Sequence, residues 1–314
     1  FWDKSEFKSI NKVINSNQFT MSKNVNLFEK KFSKYFNMKY SIMFNSGSSA
    51  NFAFFFSLVF HSKVKLKEKD EIIVPAVAWS TTYSPLFYLK SKLVLVDVDK
   101  KTFNLKIKDV IKSITKKTKV IVAVNLLGNP ADLNKLKTLC LKKKIILFED
   151  NCESLGAKLN NKFTGTFGFA SSTSFFYSHH ISTIEGGMIL TNNLELSKLL
   201  KQLRAHGWTR DTVINKNKKK EYNFILPGMN LRPTEINAAI GIEQLKKLKK
   251  IVNHKRNNYL EYYRIFSTSK YFPKIVSKMI STGEHSGSIA PILKHISALF
   301  HEEVKTALEK FTAL

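Results

Sequence analysis

Residues 40–60 read YSIMFNSGSSANFAFFFSLVF, and three local signals follow one another inside this single stretch. Tyr40 to Phe44 is a short apolar run of strand character, SGSSAN (Ser46 to Asn51) is a turn of small hydroxyl-bearing residues, and Phe52 to Phe60 is an apolar run that reads as a helix. Strand, small-residue turn and helix in that order present free backbone N–H groups and hydroxyls to an anion at the positive end of the helix. A phosphate seat is the functional reading. An ordinary Ser-rich helix cap is the alternative, and the stretch alone leaves both open.

The same alternation continues on either side. Upstream, residues 6–16 and 24–36 have helical spacing, with Phe7, Ile10, Val13 and Ile14 on one face and Leu27, Phe28, Phe32 and Phe36 on another. Downstream, Ile72 to Pro75 is a strand with Ala76 to Trp79 as its exit, Thr82 to Leu89 a helix, and Leu93 to Val98 a strand. Ile107 to Ile114 is a helix, Val120 to Leu126 a strand ending in Gly128 to Pro130, Leu133 to Leu141 a helix, and Ile145 to Phe148 a strand ending in EDNCES, Glu149 to Ser154. This order predicts an α/β fold with a mainly parallel, doubly wound sheet flanked by helices. Such sheets take ligands at the carboxyl ends of their strands. The rule brings Ser46 to Ser49, Trp79, Asn125, Asp150 with Glu153, and His179 to one crevice.

Ser171 to Gly187 reads SSTSFFYSHHISTIEGG: an alternating strand ends in His179 and His180, and Glu185-Gly186-Gly187 turns into the apolar run Met188 to Leu190. Adjacent residues on a strand point to opposite faces, so the two histidines make poor co-ligands and no metal site is expected. Leu194 to Arg204 is a helix followed by RAHGWTR (Arg204 to Arg210), and Lys216 to Lys220 falls in a polar loop. From Phe224 the chain reads FILPGMNLRPTEINAAIGIEQLKKLKK, with Ile236, Ile240, Leu245, Leu248 and Val252 as a buried stripe and Pro233 in the first helical turn. His254 to Phe266 continues as a Tyr-rich helix.

At 314 residues the chain accommodates a large α/β domain and a smaller appendage. Two cysteines, Cys140 and Cys152, supply neither a disulfide framework nor a four-thiolate cluster, which points to a reduced, cytoplasmic setting. The longest largely apolar run, Phe52 to Phe60, falls short of the roughly 20 residues a membrane span needs. The opening FWDKSEFKSINKV starts without Met and lacks the basic-then-apolar build of a secretory signal. The net charge of +27 raises nucleic acid, anionic lipid and phosphorylated small molecules as partners. Its lysines are spread over helix faces and loops, as on a solvated surface, and no helix-turn-helix or RNA-binding aromatic signature accompanies them, so no nucleic-acid partner is expected.

An anion seat, an aromatic plate and a strand-end carboxylate together suit a phosphorylated aromatic cation, and pyridoxal 5′-phosphate (PLP) fits. The turn would hold its phosphate, Trp79 would stack on the ring, and Asp150 would keep the ring nitrogen protonated. Each residue has a plainer alternative: Trp79 as core, Asp150 as a helix cap.

SGSSAN, DEIIVPAVAWSTTY, VDVD, VNLLGNP, FEDNCESLGA, the strand before EGG, and NLRPTEINAAIGIEQL occur here in an order and spacing that resemble the sugar-nucleotide aminotransferase family of fold-type I PLP enzymes, from about Phe1 to Phe266. Members that transfer amino groups carry a lysine six residues before the Glu of the EGG turn, where it binds the cofactor covalently. Here that position is His179, which resembles the 3-dehydratase branch, as do WSTTY, FEDNCES, FYSHHISTIEGG, RAHGWTR and LPGMNLRP. The resemblance implies PLP and pyridoxamine phosphate (PMP) bound without a covalent link, glutamate as amino donor, and loss of the C3 hydroxyl from a nucleotide-diphosphate-linked 4-keto-6-deoxyhexose, with GDP-4-keto-6-deoxymannose as the implied substrate in deoxysugar (colitose, O-antigen) biosynthesis.

It further implies His179 as catalytic base and acid, the Gly47 turn, Ser48 and Ser174 at the phosphate, Asn230 reaching in from the second subunit of a homodimer, Trp79 on the ring, Asp150 at its nitrogen and Glu153 near its hydroxyl. His206, Arg210 and Arg232 are candidates for the sugar nucleotide. An imidazole cannot tether the cofactor, but it can take and give a proton near neutral pH. A related branch uses His with an iron-sulfur cluster, which two cysteines cannot ligate. The implied organisation is a large cofactor-binding domain over 1–235 and a C-terminal helical or small domain over 236–314, atypical after about 267. There GEHSGSIAPILKHISALFHEEVKTALEKFTAL replaces the expected small α/β domain, with Ile289 to Leu308 reading as amphipathic helix. An aminotransferase using another lysine and a non-catalytic dimeric scaffold are the alternatives.

Overall fold

The structure, a computed structural model, describes residues 1–210, 223–268, 297–298, 300–302, 304–306 and 309. The lysine run 216–220 and most of the chain after 268 lie outside the described residues. The chain divides into two compact units, Phe1–Leu248 and Lys249–Leu314.

In chain order the elements are α1 (Lys4–Ser16), α2 (Lys23–Tyr35), β1 (Tyr40–Phe44), α3 (Gly47–Phe60), β2 (Glu71–Pro75), α4 (Ser80–Tyr88), β3 (Lys92–Val96), α5 (Ile107–Ser113), β4 (Thr118–Val124), α6 (Leu133–Lys143), β5 (Ile146–Asp150), a small hairpin of β6 (Lys158–Leu159) and β7 (Lys162–Phe163), β8 (Ala170–Ser174), β9 (Gly187–Thr191), α7 (Leu194–Arg204) and α8 (Glu235–Thr268). Seven strands form one sheet in the order β1-β9-β8-β5-β4-β2-β3. Strand β9 pairs antiparallel with both neighbours, and the pairs from β8 to β3 are parallel. The predicted doubly wound, mainly parallel sheet is therefore present, with one reversed strand inside it.

Apolar side chains cover both faces of the sheet, as a parallel sheet requires. On one face α3 packs Phe54, Phe55 and Leu58 onto Phe148, Val122 and Ile189, and Phe54 lies flat on Phe148 with ring centroids 3.8 Å apart. The other face is covered by Val110, Leu133, Leu136 and Cys140, packed with Ile73, Ile121, Ala123 and Leu147. Beyond its first turn helix α3 is buried or partly buried on every side, which explains why its sequence shows no charged face.

Three details differ from the sequence reading. The first turn of α3 is built from Gly47-Ser48-Ser49 itself, so the small-residue segment is the helix start and not a separate loop. Strand β8 ends at Ser174, five residues before His179, so both histidines lie in a turn and the argument from opposite strand faces does not apply to them. Pro233 precedes α8 instead of sitting in its first turn.

Two buried carboxylates tie sequence-distant elements together. Glu29 accepts Arg204 Nη1 at 2.5 Å and the Met43 N–H at 2.8 Å, which locks α2, β1 and α7 together out of water. Glu235 accepts the N–H groups of Ser22, Asn24 and Val25 at 2.7, 2.7 and 3.0 Å and so caps α2, whose own N-cap residue Ser22 makes no side-chain cap. Removing one member of the Glu29–Arg204 pair leaves the other charge buried and uncompensated. Glu29→Leu is expected to cost about 3–5 kcal/mol of stability, read by chemical denaturation.

Candidate functional site

Three backbone segments meet where α3 begins. The Ser46 hydroxyl accepts the Ser49 N–H at 3.0 Å and its carbonyl accepts the Ala50 N–H at 3.1 Å. The Gly47 and Ser48 amides are thereby left as first-turn donors without an intrahelical acceptor. The Ser48 side chain is exposed beside them. A Cβ on Gly47 would stand 2.6 Å from the Cβ of Ser174, and one on Gly187 would stand 2.2 Å from the Ser46 carbonyl oxygen. The end of β8, the start of β9 and the amide end of α3 are therefore in contact. The arrangement has the character of an anion seat, and Ser46 shows that the capping reading is also true, of that one residue.

Asp150 closes β5 next to this seat and is buried. Its Oδ2 accepts the Thr82 hydroxyl at 2.7 Å and Asn51 Nδ2 at 3.2 Å, while Oδ1 accepts the Cys152 N–H at 3.3 Å. Two helices thus grip one carboxylate oxygen. The alternative of Asp150 as a helix cap is overturned, since a turn and no helix follows β5. Asn51 Nδ2 also faces the Thr81 carbonyl at 3.4 Å, which fixes its amide and leaves its buried Oδ1 without a hydrogen-bond partner among the described residues. Asn51 and Thr82 were missed as functional residues by sequence reasoning, although they lie inside SGSSAN and WSTTY.

The neighbouring Glu149 points to the other side of the sheet. It accepts the N–H groups of Gly165, Phe167 and Gly168 at 2.6, 2.7 and 2.7 Å; burial pushes its pKa up against the pull of those donors. Asn125, expected at the crevice, is fully buried and engaged with Glu149, Asn151 and the Ala131 N–H, so it is scaffold. Glu153 accepts the Leu127 N–H at 2.9 Å, and burial, followed by the charge of Asp150, raises its pKa.

Trp79 immediately precedes α4, is 70 % exposed, and so is not a core residue; that alternative is overturned and an indole face is left open for stacking. His179 sits half-buried on the loop that leaves β8 at Ser174 and returns at Gly187, the two residues already in contact with the α3 turn. Its N–H donates to the Phe176 carbonyl at 3.0 Å, and the base of the loop is closed by Phe175 N–H to Gly186 and Thr183 N–H to Phe175 at 2.8 and 2.9 Å.

The remaining candidates lie on a separate pair of segments. Gly207 and Gly228 bring RAHGWTR and LPGMNLRP into backbone contact: a Cβ on Gly207, whose φ is +80°, would meet the Leu226 carbonyl at 1.7 Å. His206 is exposed, and Arg210 lies over the Trp208 ring at 5.1 Å. Arg232 Nε donates to Asn230 Oδ1 at 3.0 Å, so these two side chains are paired with each other. Met229 and Leu231, on either side of Asn230, line a cleft of about 520 Å³ with Ser48, Phe52, Pro85 and Tyr88. Among the described residues no group of three or more His, Cys, Asp or Glu is placed to hold a metal ion, and no helix is long and apolar enough to cross a membrane.

Comparison with known proteins agrees with this geometry. The DegT/DnrJ/EryC1/StrS aminotransferase family matches the chain over residues 2–312. A GDP-4-keto-6-deoxy-D-mannose 3-dehydratase from Yersinia pseudotuberculosis is 44% identical, over 98% of this chain and 80% of the relative. The solved structure of the E. coli GDP-4-keto-6-deoxy-D-mannose 3-dehydratase with bound hydrated PLP superposes with a TM-score of 0.80 at 46% identity, covering 83% of this chain and 69% of that one. A structure of the same kind of enzyme with a trapped PLP-glutamate geminal diamine gives a TM-score of 0.82 at 45% identity, covering 86% and 72%.

Two tests follow from the geometry. Crowding Gly47 against Ser174 by Gly47→Ala should cost about 1–3 kcal/mol of PLP binding, roughly 5- to 160-fold in Kd by absorbance titration, with the far-UV circular dichroism unchanged. For Glu153 the folded pKa lies above the ordinary 4.5, so the fold binds its proton more tightly than the unfolded chain does. That contribution is complete below pH 4.5 and is lost as pH rises through the folded value. Glu153→Gln should therefore gain stability relative to wild type toward neutral pH and show no gain at acid pH, measured as denaturation midpoints across the range.

Proposed function

This chain belongs to the DegT/DnrJ/EryC1/StrS aminotransferase family, and from that premise we propose that it is the PLP-dependent dehydratase that removes the C3 hydroxyl of GDP-4-keto-6-deoxymannose. The observation that carries the reading is His179 on the loop between Ser174 and Gly187, where aminotransferases of the family resemblance have lysine. Four features support a fit to the cofactor: first-turn amides of α3 without an intrahelical acceptor, a buried carboxylate held by Thr82, Asn51 and the Cys152 N–H, an exposed indole, and a buried Asn51 Oδ1 without a hydrogen-bond partner among the described residues.

The Gly47 and Ser48 amides with the Ser48 and Ser174 hydroxyls would hold the phosphate at the positive end of α3. Trp79 would cover the ring, Asp150 would hold the proton on the ring nitrogen, and Glu153 would stand near the ring hydroxyl. When bound as PMP, the cofactor supplies an amine for the C4 ketone and an electron sink that allows the neighbouring C3–O bond to break. His179 would take up a proton at a ring nitrogen and return one to the departing C3 oxygen, since an imidazole can act as base and as acid. Glutamate would supply that amine. The balance is one glutamate and one keto sugar giving 2-oxoglutarate, ammonia and the 3-deoxy sugar: glutamate is oxidised by two electrons and C3 is reduced by two.

His206, Arg210 and Arg232 would engage the sugar nucleotide as positive or hydrogen-bonding groups. A homodimer is part of the reading. The apolar cleft beside Ser48, the exposed Tyr88 and Met229 that line it, and the position of Asn230 between two of its lining residues support a second subunit there. The setting of such an enzyme is the cytoplasm.

Mixed with PLP, glutamate and GDP-4-keto-6-deoxymannose, the protein should release ammonia and yield a product lighter by one oxygen, followed by mass spectrometry. His179→Asn should lower kcat by on the order of 100-fold or more while PLP still binds. Ammonia release unchanged in His179→Asn would remove His179 from the chemistry.

A further inference from the structure

Helix α8 makes two side-chain hydrogen bonds to the loop that bears His179. Asn237 Nδ2 donates to the Thr183 carbonyl at 2.6 Å, and Gln244 Oε1 accepts the Ser182 N–H at 3.3 Å. Seven residues separate the two side chains, two helical turns, so they project from one face of the helix. Thr183 is held at its other atoms as well: its N–H donates to the Phe175 carbonyl at 2.9 Å and its hydroxyl to the Glu185 carbonyl at 2.7 Å. On the outgoing limb the His179 N–H is bonded to Phe176. His179 thus lies between two hydrogen-bonded points of the loop, with the following Ile181 fully buried.

Both amides have their orientation dictated. Gln244 Nε2 donates to Glu6 Oε1 at 2.7 Å, and Glu6 is a buried carboxylate that also takes the Lys247 ammonium at 2.6 and 2.7 Å and the Asp3 N–H at 2.9 Å. A carboxylate offers only acceptors, so the amide nitrogen must face it and the amide oxygen must face Ser182. The Thr234 hydroxyl donates to Asn237 Oδ1, which turns the amide nitrogen toward Thr183. Neither side chain can flip without pairing two acceptors or two donors.

We infer that Asn237 and Gln244 are positioning residues for catalysis: α8 fixes where the His179 imidazole stands. The inference rests on the dehydratase reading. A lysine in covalent bond to its cofactor is placed by that bond. An imidazole that only moves protons has no such bond, and its backbone has to be held instead. A misplacement of about 1 Å costs on the order of 100-fold in rate.

The test compares wild type, Gln244→Met and Asn237→Ala as PLP-loaded full chains. Expected in both variants is a fall in kcat on the order of 10- to 100-fold, with KM for GDP-4-keto-6-deoxymannose and the Kd for PLP changed by less than about threefold. The Hε1 resonance of His179, assigned by its loss in His179→Asn, should shift in both variants with cofactor absent. Wild-type kcat and an unshifted resonance in both, or a raised KM at unchanged kcat, would overturn the inference. So would failure of both variants to fold, which would make the contacts structural only; if Gln244→Met alone fails, the half-buried Asn237 decides. A wild-type protein that releases no ammonia would refute the dehydratase reading, while the resonance would still report whether α8 positions the loop.

Discussion

Gly47 and Gly187 have no room for a side chain, and that exclusion holds the site together. Their close approaches to Ser174 and to the Ser46 carbonyl press the start of α3 against the end of β8 and the start of β9. The first-turn amides of α3 and both stems of the His179 loop are consequently placed by these two contacts. Strand β9 makes this possible by running against its neighbours, which returns the chain to the same edge of the crevice that β8 has just left.

Around that contact the fold separates two kinds of carboxylate. Glu149 and Asp150 are adjacent in sequence, yet the strand turns one into a cage of backbone N–H groups and the other toward the crevice, where Thr82 and Asn51 hold one oxygen and the Cys152 N–H the other. Glu149 stabilises the segment 165–168 beneath the sheet. Asp150 is rigid and still has chemistry to offer. Glu29, Glu235 and Glu6 repeat the first pattern at the periphery, each binding segments more than a hundred residues apart.

Much of this was legible in the sequence because local signals agreed with the global fold. Strand, turn and helix around SGSSAN, the strand-helix alternation through Asp150 and the helix Leu194 to Arg204 follow from periodicity and turn residues. The strand ending at the histidines was misread. FFYSHH is as apolar and alternating as a strand, but Phe175 and Phe176 bend out of the ladder and the segment closes on itself through Phe176 and Thr183. Asn125 looked functional for being at a strand end, and only the burial of its amide against Glu149 and Asn151 reveals a scaffold. Trp79 could not be assigned to core or surface from its neighbours, because exposure is a tertiary property. Asn237 and Gln244 gave no signal either: on an amphipathic helix they resemble any polar residue, and their partners Thr183 and Ser182 lie more than fifty residues away.

Whether PLP sits in this site without a covalent tether is read by chemical trapping. The protein is loaded with PLP, reduced with borohydride, unfolded and mapped by peptide mass spectrometry. All of the cofactor should be released on unfolding, and every lysine-containing peptide should keep its unmodified mass. A stoichiometric pyridoxyl group on one lysine would contradict this and return the chain to the amino-transferring branch of its family.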